Sequence, residues 1–148
     1  MRTAVPTFLS RLRKNRQGAV AIEFGLLGLF MIAVLLGIVQ VGMSMQRYNA
    51  LRSIAADVAR NTVVQYQGGN EITSDQIRMF ATSKAQASPY FLPGEGLLCT
   101  VTTPGEQRVA GATEFNLEIR TQVDSITSVL GFDSFYITYS RPIFVLDE

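Results

Sequence analysis

The dominant pattern in the chain is a long apolar stretch near its start. Phe24 to Gln46 is a run of 23 residues without a charge, and from Phe24 to Val39 it is apolar on every side. A helix in a soluble core is normally amphipathic, so a buried core helix explains this stretch poorly. At about 1.5 Å per residue the run is long enough for a hydrocarbon layer roughly 30 Å thick. The pattern therefore predicts a transmembrane helix over residues 19–46.

After the apolar stretch the pattern changes to that of an amphipathic helix. Apolar positions recur in steps of three and four over residues 47–67, with charged and polar side chains between them. The predicted inner face comprises Tyr48, Leu51, Ile54, Ala55, Val58 and Thr62. Gly68-Gly69-Asn70 is a typical helix C-terminus. We expect one long helix that continues from the membrane span into an outer domain.

Residues 68–148 combine helix and strand signals. Thr73 and Ser74, with Gln76, are capping residues for a second helix whose shared face would be Ile77, Phe80, Ala81 and Lys84, and which Pro89 would close. Strand patterns cover Leu97 to Thr103, Glu114 to Val123 and Phe135 to Ser140, and Pro142 would limit the last strand to an edge or a bend. A short helix or turn over Ser125 to Leu130 would end at Gly131. The predicted fold class is α+β, with a small antiparallel sheet packed on the extended helix.

The charge distribution predicts an orientation. Residues 1–18 carry a net charge of +5, and the basic side chains are Arg2, Arg11, Arg13, Lys14 and Arg16. Basic residues beside a span remain on the cytoplasmic side. We therefore expect a cytoplasmic leader over residues 1–18 and an extracytoplasmic domain. A nucleic-acid-binding role for the basic arm is a weaker explanation, because the arm runs directly into the apolar stretch.

Residue types typical of enzymes are scarce. The chain has no histidine and one cysteine. Glu114, Glu118 and Asp124 are expected on or near the wet face of a strand, and Cys99 is expected to be a small buried side chain or, alternatively, to bridge two chains. The sequence predicts no catalytic site, no metal and no cofactor.

Glu23 lies one residue before the charge-free run. One interpretation is that it reaches the interface near the basic arm and is solvated there; the other is that it pairs with a cation. If the chain were cut after Gly18, the new α-amino group of Ala19 would lie one helical turn before the Glu23 carboxylate, on the same face. A cation and a carboxylate interact strongly at low dielectric. The partner amine would belong to the same chain or to a neighbouring subunit.

The stretch R-Q-G-A-V-A-I-E-F-G-L-L resembles the processing region of type IV pilin-like proteins, and specifically the TadE family of the Tad, or Flp, adhesive pilus. The resemblance implies that a prepilin peptidase cuts between Gly18 and Ala19. It also implies that Glu23 and Phe24 act in assembly, and that Arg11, Arg13, Lys14 and Arg16 retain the leader in the cytoplasm. Phe24 stands where the major pilin usually has tyrosine, and phenylalanine is common in the TadE-like branch.

The resemblance further implies a location and partners. The location would be the bacterial inner membrane, and the partners would be the peptidase, the other pilins or pseudopilins, the assembly platform and the lipid bilayer, with no nucleic acid. The expected function is that of a minor pilin or pseudopilin in pilus biogenesis, adhesion and secretion. An unprocessed bitopic scaffold that binds a partner is the alternative, and the mature N-terminus distinguishes the two.

Overall fold

A computed structural model describes residues 17–146 of the chain. Helix α1 spans Gln17–Gln67 and helix α2 spans Ser74–Gln86; the strands are β1 (Leu98–Thr102), β2 (Ala112–Val123) and β3 (Phe135–Leu146), with a 3-10 helix at Ile126–Leu130 between the last two. This confirms the predicted α+β class. The basic arm with Arg2, Arg11, Arg13, Lys14 and Arg16 lies outside the described residues.

The chain divides into two compact units, Met1–Val39 and Gln40–Glu148, which we call the N-terminal and C-terminal units. The predicted boundaries at residues 18, 46 and 67 remain predictions. In the N-terminal unit no described side chain is buried, and Phe24 is 77% exposed, Phe30 63% and Ile38 67%. Among the described residues, α1 is the one helix that is long and apolar enough to cross a membrane, judged by length and composition.

In the C-terminal unit, α1 buries the face that its periodicity predicts. Leu51, Ile54, Ala55 and Val58 are fully buried, and Thr62 is 1% exposed with its hydroxyl donating to the Val58 carbonyl at 2.9 Å. Tyr48 departs from the prediction because it is 44% exposed and contacts Tyr139 edge-on, with 5.6 Å between the ring centroids. The face that packs in the core therefore starts at Leu51, one turn later than expected.

The C-terminus of α1 closes as the glycines predict. Gly69 adopts a left-handed conformation with φ of 77°, its N–H donates to the Tyr66 carbonyl at 2.9 Å, and the Asn70 N–H donates to the Gln65 carbonyl at 3.0 Å. This pair of bonds is a Schellman motif, which satisfies carbonyls that the helix leaves without partners. A residue with a Cβ would strain the backbone at position 69.

Helix α2 has the predicted capping box, in which the Thr73 hydroxyl accepts from the Gln76 N–H and the Gln76 side chain accepts from the Thr73 N–H. Its buried residues are Ile77, Ala81 and Ala85. Of the residues predicted to share a face, Ile77 and Ala81 are buried, Lys84 is half-buried and Phe80 is 38% exposed. The helix packs against β1 along its alanines, because small side chains allow a close approach to the sheet.

The sheet has the order β1-β2-β3 with both pairs antiparallel. The inner positions of β2 are buried as predicted, and they are Phe115, Leu117, Ile119, Thr121 and Val123. The predicted end of the third strand at Ser140 was too early, because β3 continues through Pro142 to Leu146. Pro142 lies opposite Asn116, and β3 is an edge strand, where a residue without an N–H is tolerated. The 3-10 helix ends at Gly131, with φ of 86°, as expected.

The prediction that Glu114 faces water was wrong. Its exposure is 2%, because residues 103–111 fold over it. Arg108 Nε donates to both carboxylate oxygens at 3.0 and 2.9 Å, Arg108 Nη2 also pairs with Oε1, and the Glu114 N–H donates to the Gln107 amide oxygen. The hydrogen bonds from Arg108 lower the pKa of Glu114. Glu118 and Asp124 are exposed as predicted.

Candidate functional site at the start of the apolar helix

The candidate site occupies the first two turns of α1. The helix begins at Gln17, so Gly18, Ala19, Glu23 and Phe24 all lie within it, and each is exposed. Positions four apart in a helix lie on the same face one turn apart. The structure therefore brings Ala19 and Glu23 together on one side of the helix, while Phe24 lies about 100° further round the axis. The basic residues Arg11, Arg13, Lys14 and Arg16 lie outside the described residues.

The described residues, 17–146, give no steric reason for glycine at position 18. A Cβ atom built at Gly18 would meet nothing within 4 Å, and the residue sits in regular helix. Alanine there would favour the helix by about 1 kcal/mol over glycine. A requirement for glycine at this position would therefore not come from packing within residues 17–146.

Glu23 is the acidic residue that precedes the apolar run. Within residues 17–146 no basic side chain forms an ion pair with it, and the next basic residue along the chain is Arg47. A carboxylate at membrane depth is costly without a partner. The residue one helical turn before Glu23 on the same face is Ala19.

Charged groups of the C-terminal unit hold its elements together. Lys84 Nζ lies 3.3 Å from Asp57 Oδ2, and the Tyr90 hydroxyl donates to the same oxygen at 3.3 Å. Burial, followed by the Asp57 charge, raises the pKa of Tyr90.

Burial likewise raises the pKa of the Cys99 thiol, whose side chain is 6% exposed, in agreement with its predicted buried role. Among the described residues, no cluster of three or more histidine, cysteine, aspartate or glutamate side chains could hold a metal.

One important residue was missed by sequence reasoning. Gln40 is 8% exposed; its Nε2 donates to the Asp124 carbonyl at 3.3 Å and its Oε1 accepts from the Ile126 N–H at 2.9 Å. Its position was the available signal, since it is the first polar side chain after sixteen apolar residues. Gln40 ties the 3-10 segment to α1 and is the first residue of the C-terminal unit.

Comparison with protein families decides what the start of this helix resembles. Residues 18–60 match the family model described as TadE-like protein. The predicted TadE resemblance is confirmed. The TadE-like range contains Gly18, Ala19, Glu23 and Phe24, the whole apolar stretch and the first part of the amphipathic extension. Comparisons with curated proteins and with solved structures produced no match. The TadE-like range includes the part of α1 that is long and apolar enough to cross a membrane, judged by length and composition.

Proposed function

We propose that this chain is a minor pilin or pseudopilin that contributes to the assembly of a Tad-type pilus. One observation carries the proposal: a TadE-like helix presents an uncovered apolar surface, with Glu23 one turn after Ala19. The exposed apolar side chains from Val20 to Val39 need a cover, which the bilayer supplies before assembly and neighbouring subunits supply afterwards. A soluble domain would leave this surface in water.

Cleavage of the leader would create a positively charged partner for the Glu23 carboxylate. A prepilin peptidase would cut between Gly18 and Ala19 on the cytoplasmic side and release the leader with its five basic residues. The cut leaves the apolar helix intact, so the mature chain stays in the membrane. It also leaves an ammonium group at Ala19, one turn from the Glu23 carboxylate, where low dielectric strengthens their attraction. The partner ammonium belongs to the same chain or to a neighbouring subunit. In the second case the ion pair would fix the position of that subunit along the helix.

The orientation follows from the positive charge of the leader. With the N-terminus in the cytoplasm, the C-terminal unit lies outside, in the periplasm or beyond. A reporter enzyme fused after Glu148 should be active outside the cytoplasm. Activity confined to the cytoplasm would reverse this orientation and remove the C-terminal unit from any pilus.

The deciding experiment is the mature N-terminus of the membrane-extracted protein. Wild-type protein should begin at Ala19, whereas Gly18→Val should keep the full chain and migrate about 2 kDa higher, as expected for eighteen residues of a 16.3 kDa chain of 148. Gly25→Val is the matched control, because a Cβ at Gly25 also meets nothing within 4 Å, and it should be cut normally. Wild-type protein that begins at Met1 would exclude processing and favour the unprocessed bitopic scaffold.

Glu23→Ala separates processing from assembly. The peptidase should still cut this variant, while its incorporation into pili should fall. Loss of one partner of a buried charge pair costs on the order of 3–5 kcal/mol, which would disrupt docking between subunits. Glu118→Ala, which removes an exposed carboxylate from β2, is the control and should assemble normally. Normal incorporation of Glu23→Ala would remove the pairing role from Glu23 and leave the cleavage proposal intact.

A further inference from the structure

The C-terminal unit contains an apolar groove that its own core does not fill. The groove has a volume of about 620 Å³ and lies between the start of the unit's helical segment and residues 125–135. Its apolar lining consists of Val41, Met45, Tyr48, Phe132 and Phe135. These side chains are 60%, 64%, 44%, 64% and 41% exposed, in that order, so the groove is open to the surroundings.

The groove is held in place by hydrogen bonds. The Gln40 side chain bonds to the Asp124 carbonyl and the Ile126 N–H, and the Ser125 and Thr127 hydroxyls bond each other at 2.8 Å. Gly131 closes the 3-10 helix with a left-handed backbone, and Phe132 follows it directly. Asp124 and Ile126 are thus tied to Gln40 on α1, and the exposed Phe132 ring lines the groove together with Gln40.

The level of Gln40 coincides with the end of the apolar stretch. Gly18 to Val39 comprises 22 residues, about 33 Å of helix, which matches a hydrocarbon layer roughly 30 Å thick. If α1 spans the bilayer, as the proposed function requires, the boundary between acyl chains and headgroups falls close to Gln40. Aromatic side chains are enriched at this boundary. Phe132 lines the groove together with Gln40 and is the aromatic side chain placed to meet that expectation, whereas Tyr48 lies about 12 Å further along α1.

We propose that the groove lies in the bilayer interface and is filled by phospholipid, with Phe132 inserted at the boundary between headgroups and acyl chains. The inference rests on the membrane-spanning part of the proposed function and adds a second lipid contact, made by the folded unit itself. It also places the end of the membrane-spanning segment at Val39, whereas the sequence pattern predicts residue 46. The contact would fix the C-terminal unit against the membrane surface until the subunit is extracted into a pilus.

The charge of the groove indicates which lipids it accepts. Asp133 is the one charged side chain among the described residues that line it. An acidic rim does not attract anionic headgroups, so the contact should depend on apolar burial. We therefore expect the same insertion into zwitterionic bilayers and into bilayers enriched in anionic lipid, in contrast to a basic membrane-binding surface.

Tryptophan fluorescence provides a direct test, because the chain contains no tryptophan. The full chain is placed at one copy per nanodisc in phosphatidylcholine, with or without bromine on the acyl chains, which quenches nearby indoles. Phe132→Trp is the test position. Val109→Trp is the matched control; Val109 is 46% exposed and lies beside Arg108, which contacts Glu114 at the far end of β2. Phe30→Trp, in the apolar stretch, reports on the span itself.

The expected result is a loss of emission for Phe132→Trp in brominated discs, with bromines near the carbonyl end more effective than those at the chain terminus, since interfacial side chains enter only about 5–10 Å. The loss should be unchanged when anionic lipid is added. Val109→Trp should keep its emission. Phe30→Trp should be quenched most by deep bromines.

Two outcomes would overturn the inference, and they differ from failure of the proposed function. If Phe30→Trp is quenched and Phe132→Trp is not, the chain spans the bilayer but the groove does not meet lipid. If Phe132→Trp becomes protected from aqueous quenchers only when two copies share a disc, a second subunit occupies the groove. An unquenched Phe30→Trp would instead remove the membrane span on which both proposals rest.

Discussion

The two parts of α1 are equally helical but bury their side chains in opposite ways. Between Gly18 and Val39 no side chain is buried, whereas Leu51, Ile54, Ala55 and Val58 are fully buried in the C-terminal unit. The first part is apolar on all sides and the second part has one apolar face. The comparison teaches that periodicity indicates which segment packs against its own chain, while uniform apolarity indicates a segment whose cover comes from outside.

The largest expected effect comes from removing the helix from the C-terminal unit. A fragment that begins at Gly69 loses the four fully buried side chains of α1 and should not fold, because a three-stranded sheet and one short helix retain little apolar surface to bury. A fragment that begins at Gln40 keeps them and should melt cooperatively. Circular dichroism during heating distinguishes the two. A cooperative transition in the shorter fragment would contradict the view that α1 supplies the core.

A smaller effect is expected when one leucine from each part of α1 is replaced by alanine. Leu51→Ala removes a fully buried side chain and should lower the free energy of unfolding of the C-terminal unit by about 2–5 kcal/mol. Leu29→Ala deletes the same atoms at a position that is 59% exposed, and should change that free energy by less than about 0.5 kcal/mol. Urea unfolding of the full chain in detergent measures both. Equal effects would mean that the apolar stretch packs on the C-terminal unit.

A third change concerns the second helix, whose start is stabilised within its own sequence. Thr73→Ala removes the side chain that caps α2 and should cost about 1 kcal/mol in the same unfolding measurement. Ser83→Ala, at an exposed position of the same helix, is the control and should have little effect. A Thr73→Ala variant as stable as the control would show that packing on β1, and not the cap, sets the start of this helix.

The smallest effect depends on pH. The folded state lowers the pKa of Glu114, so its ion pair stabilises the fold above the ordinary glutamate value of 4.5 and the contribution is lost as the pH falls through the lowered value. Wild-type protein should therefore lose stability toward acid more steeply than Glu114→Gln. The urea midpoint at several pH values measures this slope. Parallel slopes for the two proteins would indicate that Arg108 does not stabilise the ionised form.

Features coded by neighbouring residues were predicted well. The closure of α1 by Gly69, the cap at Thr73 and the alternation from Phe115 to Val123 each depend on a few adjacent residues. Local backbone preference and side-chain period determine them. The TadE resemblance likewise rested on twelve consecutive residues.

Features created by distant segments were not predictable in the same way. Glu114 has a strand position that normally faces water, and it is buried only because a loop with Arg108 folds back over it. Gln40 stands out in the sequence as the first polar residue after the apolar stretch, but its hydrogen-bond partners lie more than eighty residues away. Pattern within a segment does not reveal which loop returns to cover it. The candidate site is a different case, because the chemistry proposed for it depends on a peptidase and on neighbouring subunits.

Pro142 affects how the exposed edge of the sheet behaves when many copies of the protein lie close together. The two edges of the sheet are β1, which has five residues, and β3, which has twelve. Long open edges invite other chains to add strands, and copies held in one membrane or one fibre meet at high local concentration. Pro142 interrupts the longer edge near its middle, since it has no N–H to offer an incoming strand. The residue thereby makes the longer edge a poorer template for the addition of strands from other copies.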